Sequence, residues 1–236
     1  LMKTTERVAH NVAYLPSGRS DHTLDVFRPK ATSGTLPVVL YIHGGGFRIL
    51  SKDSHHTIAR RFAMAGYTVV NINYRLVPDG AFPNALEDTC AALKWTLDHV
   101  ADYGGDPTSL AFAGESAGGN LSLALALCCV WERPEPYAQQ VFERGVRPFA
   151  VLPACGLLEV HNAARYLQDE SIPKWIRQRM KIICEGYLGT EKAADLASPL
   201  RLIEDAAGPQ GALPPLLAIC GTTDPLLADT LRLGAA

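Results

Sequence analysis

Long apolar runs are scarce in this chain. The longest, "LSLALALCCVW" at residues 121–131, falls well short of the roughly 20 residues that cross a bilayer as a helix. The opening "LMKTTERVAHNVAYLPSGRS" has no apolar stretch of the signal-peptide kind. An excess of one charge is lacking too. Lys and Arg number 22 against 24 Asp and Glu, for a net charge of −2, so there is no basic field to attract a phosphate backbone. The six cysteines (90, 128, 129, 155, 184 and 220) have neither metal-ligand spacing nor the density of a disulfide scaffold, and several sit in apolar runs as a reduced, buried thiol does. Repeats and low-complexity tracts are missing as well. These absences predict a soluble protein of the reducing cytoplasm, with no nucleic-acid partner, no integral membrane contact, no metal and no cofactor.

What is present is an alternation. "PVVLYI" (37–42) and "YTVVNINY" (67–74) are β-branched and bounded by turn residues, as buried strands are. Between them, "SKDSHHTIARRFAMAG" has helical spacing and stops at Gly66. A second helix is predicted over "NALEDTCAALKWTLDHVADYGG", a strand at "SLAFAG" (109–114), and further strands at 147–155 and 214–221. Connections this long imply parallel pairing. The prediction is one α/β domain over 1–236, a mostly parallel sheet flanked by helices, with ligands bound at the carboxyl ends of its strands. Residues 156–190 break the rhythm and read as a small insertion over the sheet.

Two motifs carry chemistry. "GESAG" sets Ser116 between Gly114 and Gly118, straight after a predicted strand and straight before an apolar helix. A sharp strand-to-helix turn of this kind exposes the serine hydroxyl and tolerates only small neighbours. "HGGGF" (43–47) directly follows "VVLYI", leaving backbone N–H groups free at a strand end, where a tetrahedral oxyanion needs donors. A third stretch, "GTTDPLLAD" at 221–229, offers Asp224 and Asp229. A carboxylate near a strand end can orient an imidazole, and an Asp before Pro225 can equally well start a helix.

"HGGGF", "YRLVPDGAFPNALED", "YGGDP", "GESAGG" and "GTTDPLLAD", in this order, resemble the hormone-sensitive-lipase family of α/β-hydrolases, which includes many bacterial carboxylesterases. The resemblance runs from about residue 23 to the end. It implies Ser116 as nucleophile, Asp224 as triad acid and an oxyanion hole from the N–H groups of Gly45, Gly46 and Ala117. His43 and Gly44, with Gly114 and Gly118, are then structural supports. The implied activity is hydrolysis of short- to medium-chain acyl esters through an acyl-enzyme, with a small-molecule ester as partner and homodimers known in the family. An amidase or deacetylase on the same machinery and a receptor-like, non-catalytic ligand-binding homologue are the alternatives.

The chain departs from the family pattern in three places. Glu115 stands where an aspartate is more usual, and the segment before the first strand (1–22) makes only a short cap. The triad base should follow Asp224 in the chain, yet no histidine occurs after His161. His55 and His56 open the first helix without occupying a triad position. The expectation is that the last strand, the catalytic histidine and the last helix lie outside these 236 residues.

Overall fold

In the computed structural model, residues 4–30, 32, 34–190, 195–205 and 211–236 are described. The apolar runs become strands as their alternation requires. β1 (Thr5–Ala13), β2 (Thr23–Pro29) and β3 (Leu36–Ile42) come first. Then follow α1 (His56–Ala65), β4 (Thr68–Ile72), α2 (Asn84–His99) and β5 (Gly105–Glu115). Next are α3 (Ala117–Val130), α4 (Pro136–Phe142) and β6 (Ala150–Ala154). α5 (Ala164–Gln168), α6 (Lys174–Leu188), α7 (Pro199–Glu204) and α8 (Leu227–Ala235) complete the described helices.

The sheet order is β1-β2-β4-β3-β5-β6. β4, β3, β5 and β6 run parallel to one another, whereas β1 and β2 form an antiparallel ribbon whose β2 also pairs antiparallel with β4. Within 1–22, expected as a short cap segment, Thr5–Ala13 thus forms the first strand of the sheet; residues 1–3 lie outside the described residues. Most of the β1 side chains are exposed, so the strand lacks the apolar signature that marks a buried one.

Alternate residues of β3 feed two different layers, as a period of two dictates. Val38, Leu40 and Ile42 join the larger core with Leu86, Leu93, Leu121 and Leu125 from α2 and α3. Val39 and Tyr41 join Ala59 and Ala63 of α1 on the opposite face. Every residue of α3 is buried, which is why its sequence is apolar all round rather than striped. Gly66 ends α1 in the left-handed region, φ 110°, and its N–H closes onto the Ala63 and Phe62 carbonyls, the glycine stop that the sequence suggested.

The predicted strand at 214–221 is only partly realised. It meets β6 through two isolated parallel bridges, Val151 to Leu216 and Ala154 to Ile219. The insertion expected at 156–190 contains α5 and α6, and α6 docks by stacking Tyr187 on Phe47 with ring centroids 3.6 Å apart. None of the helices among the described residues is long and apolar enough to cross a membrane.

Candidate active site

Ser116 sits at φ 54°, ψ −113°, a region in which a non-glycine residue is held only by its surroundings. Three backbone bonds hold it. The Ser116 N–H donates to Ala154 O at 3.0 Å, and Ser116 O accepts from Asn120 N and Leu157 N, each at 3.1 Å. The turn therefore joins the ends of β5 and β6 to the start of α3. Gly114 and Gly118 are required by contact. A Cβ on Gly118 would lie 2.0 Å from Ile42 O, and one on Gly114 would lie 2.5 Å from Gly118 O.

Ile42 and Gly114 are register partners on adjacent parallel strands, so the glycine loop and the serine turn leave the sheet side by side. Gly45 adopts φ 111°, and Arg48 N and Ile49 N both donate to its carbonyl at 3.2 Å, curling the loop over. Among the described residues, the N–H groups of Gly45, Gly46 and Ala117 have no protein acceptor, the last because a first-turn N–H has no intrahelical partner. Gly44 differs from them, since its N–H donates to Glu115 Oε1 at 2.6 Å.

His43 is buried, with its Nδ1 2.7 Å from Gly44 O, and its ring stacks on Tyr74 at 4.4 Å and on His55 at 5.6 Å. Burial pushes its pKa down to about 4, so at neutral pH its ring is uncharged. His55, which the sequence left without a role, meets Glu115 Oε1 through Nε2 at 2.7 Å. The Glu115 hydrogen bond raises the His55 pKa against the opposing effect of burial. Burial of Glu115 pushes its carboxyl up, but bonds from His55, Tyr41 and Gly44 outweigh this and hold it below the usual glutamate value. No local pattern announces the pair, because 60 residues separate its members. The one available signal was an acidic residue directly before the nucleophile.

Asp224 lies in the turn before α8, half-buried, with its Oδ1 accepting Leu226 N at 2.8 Å. That bond closes the turn leading into α8, whose own N-cap is Leu226 with no side-chain cap. Burial raises the Cys155 thiol, helped by the nearby charge of Asp224. Asp229 is occupied elsewhere. It is buried, accepts Leu158 N at 2.9 Å and Glu159 N at 3.2 Å, and pairs with Arg165 Nη1 at 2.8 Å. Removing one partner of such a buried pair strands the other, at about 3–5 kcal/mol. Asp229→Ala is accordingly expected to lower Tm by on the order of 10 °C in a melting experiment, and Asp224→Ala by far less.

Each histidine has its own partner. His10 meets Asp25, His22 meets Ser17, His56 meets the Asp53 carbonyl, His99 meets the Trp95 carbonyl and His161 meets Ser198. His10, Asp25 and Asp53 lie close enough to hold a cation among the described residues. Lys52 Nζ already supplies the positive charge there, 2.9 Å from Asp25 and 3.0 Å from Asp53.

One groove borders the glycine loop and another borders Asp224, and Ser116 lines neither. The first, of about 360 Å³, lies between Gly45, Ile49 and the α6 side chains Trp175, Ile182 and Ile183. The other, about 450 Å³, runs between Asp224 and Ile172 and Ile176 of the insertion. A serine, free amide donors and a partly apolar groove beside the glycine loop are what acyl transfer from a small organic ester needs.

Comparison with known proteins agrees. The model of the alpha/beta hydrolase fold family matches residues 39–236. The carboxylesterase NlhH of Mycobacterium tuberculosis is 41% identical over 110 residues, 46% of this chain and 34% of that protein. The probable carboxylic ester hydrolase LipM of the same organism is 30% identical over 221 residues, 92% of this chain and 48% of that one. The chain thus spans between a third and a half of these curated relatives. The crystal structure of an esterase from the bacterial hormone-sensitive lipase (HSL) family superposes with a TM-score of 0.70 at 29% identity, covering 99% of this chain and 70% of that one. The chain belongs to the alpha/beta hydrolase fold family, in the hormone-sensitive-lipase group that its glycine loop and serine turn resemble.

Proposed function

We propose that the protein containing this chain is a serine carboxylesterase acting on short- to medium-chain acyl esters. The observation that carries the reading is the register of Ile42 with Gly114. The glycine loop with Gly45 and Gly46 and the turn with Ser116 and Ala117 leave adjacent strand ends, which supports an oxyanion hole beside the serine. Ser116 Oγ attacks the ester carbonyl, the amides of Gly45, Gly46 and Ala117 receive the negative charge of the tetrahedral oxyanion, and collapse expels the alcohol to leave an acyl-serine that water hydrolyses. Asp224 is the carboxylate that orients the imidazole accepting the serine proton, an imidazole that the family order puts beyond Asp224. The names of the relatives, carboxylesterase and acetyl esterase among them, support the substrate class.

The test is turnover of p-nitrophenyl esters from acetate to palmitate by the full protein, together with labelling by a fluorophosphonate. Acetate to octanoate should be hydrolysed faster than palmitate, and the label should map to Ser116. A protein that neither turns over nor takes the label, yet binds an ester tightly, is a ligand-binding homologue. That result overturns the esterase reading.

A further inference from the structure

Ser116 and the oxyanion amides must be held in a fixed relation for catalysis, and sheet register alone sets only the bases of the two loops. A carboxylate spans the gap just beyond the register pair of Ile42 and Gly114. Glu115, the residue before the nucleophile, reaches across from β5 and takes the Gly44 N–H at 2.6 Å. A Cβ at Gly44 would stand 2.8 Å from Glu115 O and 2.9 Å from Oε1, so the approach exists only because residue 44 is bare. We propose that Glu115 and His55 are a positioning pair for the oxyanion hole: His55 holds the Glu115 carboxylate, and the carboxylate holds the glycine loop against the serine turn.

The arrangement around the pair favours this role over simple packing. Oε1 receives both the Gly44 N–H and His55 Nε2, and Oε2 receives the Tyr41 hydroxyl, so both oxygens are engaged. His55 is fixed in turn by Ser54 Oγ and the Ser51 carbonyl on its Nδ1 side, at 2.8 and 3.2 Å. From the other side of the loop, Tyr74 donates to His43 O at 2.9 Å. The loop is gripped at residues 43 and 44, which leaves the next two amides oriented but unoccupied. A misplacement of about 1 Å at a reacting centre costs on the order of 100-fold in rate, and this clamp lies one peptide bond from the nucleophile.

The titratable groups facing His55 are Glu115 from β5, Tyr41 from β3 and His43 from the glycine loop. His55 is raised and Glu115 is lowered. The charged pair therefore stabilises the site between the depressed pKa of Glu115 and the elevated pKa of His55. It is lost as pH falls through the first or rises through the second.

This inference rests on the esterase reading only for its kinetic readout. In Glu115→Gln and His55→Gln, kcat on p-nitrophenyl butyrate is expected to fall about 10- to 100-fold with KM within about twofold. Amide exchange at Gly44, Arg48 and Ile49 should quicken in both. His56→Gln, an exposed neighbour bonded to the Asp53 carbonyl, should match the parent in both measurements. If kcat in both variants stays within about twofold of the parent, or if exchange at the loop is unchanged, the pair does not position the loop and the proposal fails. Should Glu115→Gln not fold, His55→Gln decides alone, since His55 lies at the start of α1 outside the sheet. If the parent hydrolyses no ester, the esterase reading fails, and amide exchange then judges the clamp by itself.

Discussion

Ser116→Ala is expected to lower kcat on p-nitrophenyl butyrate by at least about a thousandfold and to abolish fluorophosphonate labelling. The fold should be indifferent to the change. Every bond that holds the serine turn, to Ala154, Asn120 and Leu157, uses the main chain of residue 116, and alanine keeps that main chain and the same Cβ at φ 54°. Only the hydroxyl is lost, and in the proposed reaction that oxygen forms the one new covalent bond to substrate. Tm should therefore move by no more than on the order of a degree or two. A variant that retains more than about a tenth of the parental rate would mean the nucleophile has been misassigned.

Gly118→Ala is expected to damage both stability and rate. The new methyl would lie 2.0 Å from the Ile42 carbonyl oxygen and 2.7 Å from that of His43. Both obstacles are backbone, so no rotamer change relieves the clash, and the start of α3 must move away from the end of β3. Overpacking of this kind costs about 3 kcal/mol, which corresponds to a fall in Tm of on the order of 10 °C for a chain of this size. The displacement also separates Ser116 and the Ala117 amide from the glycine loop, so kcat should fall by on the order of 100-fold beyond any loss of folded protein. Thermal melts and kinetics on the remaining folded fraction check the two effects separately. A Tm within about a degree of the parent would mean that the serine turn and the glycine loop do not touch as described.

Much of this could be read from residue order alone. The β-branched runs at 37–42 and 67–74 fall in β3 and β4 because both strands are buried on two faces and need continuous apolar sequence. The serine turn and the glycine loop were legible because each needs small residues at fixed offsets, which chemistry rarely permits elsewhere. β1 was missed because a largely exposed edge strand has no apolar pattern to detect. The 214–221 run looked like a full strand. Its prolines at 214 and 215 offer no N–H to a ladder, and Leu217 and Ile219 stay 58% and 60% exposed. Asp224 and Asp229 were alike as letters, and only the burial of Asp229 against Arg165 separates their roles. Glu115 with His55 was invisible, since pairing across distant segments is a property of the folded chain and leaves no local spacing.

The stack of Tyr187 on Phe47 has a bearing on how acyl-chain preference could change. Phe47 follows the glycine loop directly, and Tyr187 belongs to the helix that walls the groove beside Gly45. In the proposed esterase, an acyl chain lying in that groove would make turnover and chain-length selectivity share a joint. Substitutions at Trp175 or Ile182, both exposed and lining that groove, would then be expected to retune selectivity while the joint stays intact. Changes at Tyr187 would be expected to move both properties together, so adaptation to longer esters through that residue would carry a trade-off with turnover.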